Sequence, residues 1–266
     1  MKYLAGFIGA GNMGGALAKA AAKAANPKEI AIADLDTQKA KALSSSLGAV
    51  FTDNADIVKN AKYIFLGVKP QMLRDLFSEI SPVLEKRTDK FILVSMAAGT
   101  SIKEICDFAG KEYPTIRIMP NTPVSVGAGI VLYCANESAG DTLEFTDILK
   151  YAGTLDNLPE NLIDAASCLT GCSPAWIYMF IEALADGGVK CGLPRAKALK
   201  YACDALIGSA TLVNESGKHP GLLKDEVCSP GGTTIAGVHA LEANAFRGTV
   251  MEAVSAAYEK TLNLKK

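Results

Sequence analysis

The sequence predicts an α/β fold in two parts, a doubly wound and mostly parallel sheet followed by an all-α domain that serves dimerisation. Three observations carry this reading. Short apolar runs alternate with helix-like segments over residues 1–160, a glycine loop joins the first run to the first helix, and strand signals stop near Asn161. With 266 residues, 49% of them hydrophobic, the chain can bury a substantial core, and the change of pattern divides it into residues 1–160 and 161–266.

Strands are expected, in order, over residues 3–9, 29–34, 63–68, 91–95 and 115–119, each a short apolar run. Between them, segments 13–25 and 37–47 have the length and the alanine or leucine content of crossover helices. Residues 129–133 extend the sheet, and 142–152 with 154–158 supply a last helix and strand. Helices then follow one another, with breaks at Ser173-Pro174, Gly192-Leu193-Pro194, His219-Pro220 and Ser229-Pro230, where proline suits a first helical turn. Segments 176–184 and 198–213 carry hydrophobic side chains on more than one face. A small helical domain cannot bury all of that alone, so a dimer interface is expected there.

Composition excludes several classes of function. The 27 basic and 28 acidic residues give a net charge of -1, so no global positive field attracts nucleic acid or an anionic membrane. The most strongly apolar stretches, such as residues 63–68, fall far short of the roughly 20 residues of a membrane span, and a soluble protein is expected. Residues 1–8 lead directly into the glycine motif and read as a buried strand rather than a secretory signal. Seven scattered cysteines, an odd number, point to reduced thiols and a cytoplasmic location. With no C-x-x-C pair and only His219 and His239 as histidines, no metal site is expected.

Gly9-Ala10-Gly11-Asn12-Met13-Gly14 is a G-x-G-x-x-G motif that ends a strand and opens a helix, the context that marks a Rossmann-type dinucleotide site. Gly9 suits the tight turn, Gly11 the close approach of a pyrophosphate, and Gly14 the packing of helix on strand. Asp34 follows Gly14 by 20 residues at the end of the second strand. Two readings of it stand: it accepts hydrogen bonds from a ribose, or Asp34 or Asp36 caps the following helix. A free ribose fits Asp34 and a 2′-phosphate is repelled, yet Thr37, Gln38 and Lys39 can rearrange around a phosphate. NADPH and NADH therefore both remain open. Gly67-Val68-Lys69-Pro70 and Ser95-Met96-Ala97-Ala98-Gly99 lie at strand ends, where ligands of such sheets bind; the small residues after Ser95 admit a nicotinamide, and Lys69 is either a surface cation, the commoner case, or a phosphate and substrate contact. Met119-Pro120-Asn121-Thr122-Pro123 is either a polar contact to the coenzyme or a rigid turn.

In the helical half, residues 223–237 hold the most chemistry. Ser229 and Pro230 read as a helix N-cap and first position, and Gly231 and Gly232 leave backbone N–H groups uncovered. Such amides suit a carboxylate, with hydroxyls from Ser229, Thr233 and Thr234 beside them. No evident acid–base pair accompanies this site. Reduction of a ketone needs a proton donor, whereas a protonated C=N bond needs only hydride and orientation, so the inventory leans toward an imine.

These residues, in this order, resemble the pyrroline-5-carboxylate reductase family. The likeness covers essentially the whole chain: Phe7 through Gly14, Val68-Lys69-Pro70, Met96-Ala97-Ala98-Gly99, Met119-Pro120-Asn121-Thr122-Pro123, Gly171-Cys172-Ser173-Pro174-Ala175, and Lys224-Asp225 through Thr234. The last stretch is the most specific. The resemblance implies NADPH- or NADH-dependent reduction of L-1-pyrroline-5-carboxylate to L-proline. It implies that Ile8, Gly9, Ala10, Gly11, Asn12 and Met13 line the pyrophosphate, that Asn54, Gly67, Val68, Lys69 and Pro70 contact the coenzyme, and that Met96, Ala97 and Ala98 lie near the nicotinamide. Ser229 and the amides of Gly232, Thr233 and Thr234 would hold the substrate carboxylate, with the Thr234 hydroxyl donating to the ring nitrogen. It further implies a site shared between two subunits, in dimers that often assemble into decamers. The chain departs from the family at Asp34, where NADPH users carry small hydroxyl residues, and at Cys172 and Trp176.

Two rivals stand beside this reading. A 3-hydroxyacid dehydrogenase relative needs a catalytic lysine and then an amide residue in the first long helix of the second domain, and residues 175–188 contain neither Lys nor Asn. A non-enzymatic NAD(P)-sensing module leaves the anion loop at 229–234 without a role.

Overall fold

A computed structural model describes residues 2–263. Among them, eight strands form one sheet: β1 (Tyr3–Ile8), β2 (Ile30–Ala33), β3 (Val50–Phe51), β4 (Ala61–Leu66), β5 (Ile92–Ser95), β6 (Thr115–Pro120), β7 (Gly129–Ala135) and β8 (Gly153–Asn157). The helices up to the last strand are α1 (Asn12–Ala24), α2 (Thr37–Leu47), α3 (Asn54–Asn60), α4 (Leu73–Leu84), α5 (Ile102–Ala109) and α6 (Leu143–Ile148). After the sheet come α7 (Glu160–Ser167), a π-helical turn at Cys168–Cys172, α8 (Ser173–Lys190), α9 (Arg195–Ser216), α10 (Pro220–Glu226), α11 (Thr233–Ala243) and α12 (Phe246–Asn263).

The strand order is β3-β2-β1-β4-β5-β6-β7-β8. The chain winds outward from β1 to β3, then returns to place β4 on the other side of β1. The gap between the carboxyl ends of β1 and β4 is thus a topological switch point, where open α/β sheets bind ligands. Every pairing is parallel except that of β6 with β7. Their connection holds only a 3-10 turn, Thr122–Val126, ended by Gly127 in the left-handed region, and that is too short for a crossover helix. The two-residue strand β3 was not expected from the sequence, because Val50-Phe51 shows no alternation long enough to read.

Helices cover both faces. On one, Leu17, Ala18 and Ala21 of α1 pack with Phe7, Ile30, Ile32 and Phe65, and the Phe7 and Phe65 rings stack at 4.3 Å. On the other, Ile57 of α3 and Leu73, Phe77 and Ile80 of α4 pack with Ile8, Ile64 and Leu66. Consecutive residues such as Phe7 and Ile8 therefore enter different cores, as the two-residue strand period requires.

By packing, the described residues divide into two units, one reaching Gly171 and including α12 from Tyr258, the other spanning Cys172–Ala257. Helix α7 belongs with the sheet because Ile163 packs with Ile102, Leu132 and Cys134. Buried Arg117 on β6 also reaches it, with Nη2 2.5 Å from Asp164 and Nη1 3.4 Å from Glu160. In the second unit, α8 and α9 pack closely where Gly188 faces Ala198.

Two expectations are corrected here. The helical run Glu160–Lys190 is, by length and composition alone, long and apolar enough to cross a membrane, so apolar stretches of that length do occur. Its apolar residues are interleaved with polar ones, which hides it from a search for strongly apolar runs. Ser229-Pro230 does not start a helix either. Gly232 N–H donates to the Ser229 carbonyl at 3.0 Å and Gly231 has φ +69°, so Pro230 and Gly231 fill the central positions of a tight turn and α11 begins at Thr233.

Candidate active site

The glycine loop is built by close backbone contacts. Gly9 has φ +109°, and a Cβ there would lie 2.4 Å from the Gly67 carbonyl oxygen. A Cβ at Gly14 would lie 2.1 Å from the Gly9 oxygen, so α1 can approach β1 only with glycine at that position. Gly11 differs: a Cβ there meets no protein atom within 4 Å, and φ is -64°. Neither packing nor backbone conformation demands glycine at Gly11. What glycine provides is open space before the first turn of α1, whose N-cap carries no side-chain acceptor. Unpaired N–H groups facing that space form a cradle for an anion, and a dinucleotide pyrophosphate fits it.

Asp34 sits beside this loop. Its Oδ2 accepts from Ala10 N–H at 2.6 Å and its Oδ1 from Asp36 N–H at 2.8 Å. Asp36, not Asp34, caps α2, taking the N–H groups of Gln38 and Lys39, both at 3.1 Å. A cavity of about 390 Å³ opens here, and it brings together Ile8, Gly9, Gly11, Asp34, Asn54, Gly67, Val68 and Lys69. The sequence reading missed Leu35, Met72, Asp75, Leu76 and Glu79, which complete the wall. A signal for four of them was present, since Met72 and Leu76, like Asp75 and Glu79, are spaced one helical turn apart just after Lys69-Pro70. The Asn54 amide donates to Glu79 at 3.2 Å, tying α3 to α4 across this wall.

Ala10, Asn12, Met13 and Pro70 do not line the cavity: Ala10 is buried, Asn12 and Met13 open α1, and Pro70 begins a 3-10 turn. Met96, Ala97 and Ala98 follow β5. A Cβ at Gly67 would lie 3.6 Å from the Met96 sulfur, so this loop adjoins the ends of β1 and β4. Asn121 is committed to the fold. Its Oδ1 accepts from Ile130 N–H at 2.8 Å and its Nδ2 donates to the Thr170 carbonyl at 3.0 Å, which favours the rigid-turn reading of Met119 to Pro123.

Ser229, Gly232, Thr233 and Thr234 come together in the helical unit. Gly232 is the N-cap of α11 and carries no side-chain cap, so the first-turn N–H groups point outward beside the exposed Thr233 and Thr234 hydroxyls. A Cβ at Gly232 would fall 2.4 Å from Ser229 Oγ, so glycine there lets the serine fold back over the helix start. The loop has the amides, hydroxyls and helix dipole that hold a carboxylate without a cation.

A wider groove of about 1240 Å³ lies toward the β8 edge of the sheet, among Cys106, Cys134, Asn157 and Glu160. Burial pushes the Cys134 thiol up to about 11, which keeps it protonated at neutral pH and removes it as a nucleophile. Among the described residues no group of His, Cys, Asp and Glu is placed to hold a metal.

Both units match known families. A family described as pyrroline-5-carboxylate reductase dimerisation matches residues 160–264, and one described as NADP oxidoreductase, coenzyme F420-dependent, matches residues 5–99. The pyrroline-5-carboxylate reductase of Pisum sativum is 41% identical over 98% of this chain and 96% of its own, and that of Escherichia coli 39% over 100% of both. The Plasmodium falciparum pyrroline carboxylate reductase, solved with NADP bound, superposes with a TM-score of 0.86 at 32% identity over 100% of both chains. With identity of this extent along nearly the full length, the chain belongs to the pyrroline-5-carboxylate reductase family.

Proposed function

We propose that the protein reduces L-1-pyrroline-5-carboxylate to L-proline, with NADPH or NADH as the hydride donor. One observation carries the reading: the chain holds two distinct anion cradles, one open at Gly11 and one at residues 229–234. The bound coenzyme supplies a hydride to C5 of the protonated imine, whose π pair becomes the nitrogen lone pair. The protein's own task is binding and orientation. The amides at the start of α11, with Ser229, hold the substrate carboxylate, and the Thr234 hydroxyl donates to the ring nitrogen. Because that nitrogen is already protonated, the C=N reduction needs no general acid. Met96, Ala97 and Ala98 admit the flat nicotinamide beside the ends of β1 and β4.

The helical unit supports assembly as a homodimer, in which the carboxylate loop of one chain serves the coenzyme site of its partner. Its apolar exposure and the dimerisation family that covers it both favour this arrangement. Thiols at Cys106, Cys134, Cys168, Cys191, Cys203 and Cys228 suit the reducing cytoplasm.

The test is loss of reduced-nicotinamide absorbance with purified protein and pyrroline-5-carboxylate, with proline assayed as product. Turnover is expected, and Thr234→Val lowers it by about 5- to 150-fold, the equivalent of about 1–3 kcal/mol for one buried hydrogen-bond donor. Binding of coenzyme without consumption overturns the imine assignment in favour of a sensor. Wild-type turnover in the valine variant removes Thr234 from the mechanism.

A further inference from the structure

We infer that this protein is an NADH enzyme, and that Asp34 together with Asp36 excludes the 2′-phosphate of NADPH. The inference rests on reading the glycine loop as the dinucleotide site and adds which dinucleotide it takes.

The Asp34 carboxylate has a fixed direction. One oxygen is held by Ala10 N–H and the other by Asp36 N–H, so the group cannot swing out of the cavity it lines. A carboxylate only accepts hydrogen bonds, and each of its oxygens keeps a further lone pair. A ribose with free 2′- and 3′-hydroxyls offers two donors to match. A 2′-phosphate offers oxygens only, and brings negative charge onto a group that cannot retreat.

The nearest helix start is already occupied. The N-terminus of α2, directly after β2, is the ready anion site in this arrangement. Its Gln38 and Lys39 amides are already taken by the Asp36 carboxylate. The rearrangement of residues 37–39 around a phosphate, open from sequence alone, would have to expel that cap.

The charge of the cavity acts in the same direction. Asp34, Asp75 and Glu79 line the cavity against a single cation, Lys69. Lys41, on the first helix past the acid, stands over the Phe51 ring at 5.1 Å instead. The remaining wall suits a base: Leu35, 80% exposed, shares the cavity with Val68, Met72 and Leu76, apolar surfaces on which a purine packs.

The experiment is a fluorescence titration of NADH and NADPH, with NAD+ and NADP+ as non-fluorescent competitors, on the wild type and on Asp34→Ser. The wild type is expected to bind NADH more tightly by about tenfold or more, and the serine variant to move the ratio toward NADPH by at least about tenfold, the scale of hydrogen bonds to a charged group. Asp34→Asn keeps an acceptor for Ala10 N–H while removing the charge, and is read in the same way if the serine variant does not fold. Equal or tighter NADPH binding by the wild type overturns the inference, as does an unchanged ratio in both variants. Failure to bind either dinucleotide overturns instead the coenzyme reading on which it rests.

Discussion

A methyl group added at Gly14 would sit 2.1 Å from a carbonyl oxygen, whereas one added at Gly11 would touch nothing in the protein. The motif gives both positions the same letter, and only the structure separates packing from ligand space. Gly14→Ala should therefore lower stability by about 1–3 kcal/mol through overpacking, visible as a lower Tm in a thermal melt. Gly11→Ala should melt within a few degrees of wild type, because φ of -64° accepts alanine, yet bind coenzyme more weakly. If both variants melt alike and both bind normally, the cradle is elsewhere. The acids show the same limit of legibility. Spacing from the glycines located Asp34, but which acid caps α2 depends on backbone direction at the end of β2, which the sequence does not encode locally.

At the scale of elements, the Arg117 network fixes α7 to the sheet. Its guanidinium side chain is 3% exposed and meets Asp164, 13% exposed, and Glu160; Glu160 in turn accepts from Ile102 N–H at 2.7 Å at the start of α5. Removing the cation takes the guanidinium from the buried Asp164 carboxylate, so Arg117→Met should destabilise the fold by about 3–5 kcal/mol in chemical denaturation. Adding Asp164→Leu to that variant should recover part of the loss. Strict additivity of the two changes would show that the pair does not interact. Helix α7 was hard to assign from sequence because its partner lies 47 residues earlier, on β6. The loop before α11 misled for another reason: Ser-Pro is a sound helix-start signal, and it was overridden by two glycines that turn the chain first.

At the scale of the whole molecule, the helical unit is incomplete. Helices α11 and α12 bury no residue fully, and α9 buries only Ala198 and Ala202. Met179, Ile207 and Met251 stand 67%, 67% and 66% exposed. Apolar surface of this extent marks an interface. Light scattering should find a dimer or larger assembly at micromolar protein, and Ile207→Glu should give smaller species that still bind coenzyme but do not turn over. A fully active monomer would sink the shared-site arrangement. The sequence by itself determined the α/β class, the glycine loop and its acid, the end of the sheet and the family, because those depend on local periodicity and on short motifs of fixed spacing. Only the tertiary structure decided the antiparallel β6–β7 pair, the attachment of α7, the turn before α11, and which acid caps a helix while the other lines the cavity. These last depend on partners distant in sequence, or on a competition between two sound local signals, and packing and hydrogen-bond geometry settle such competitions.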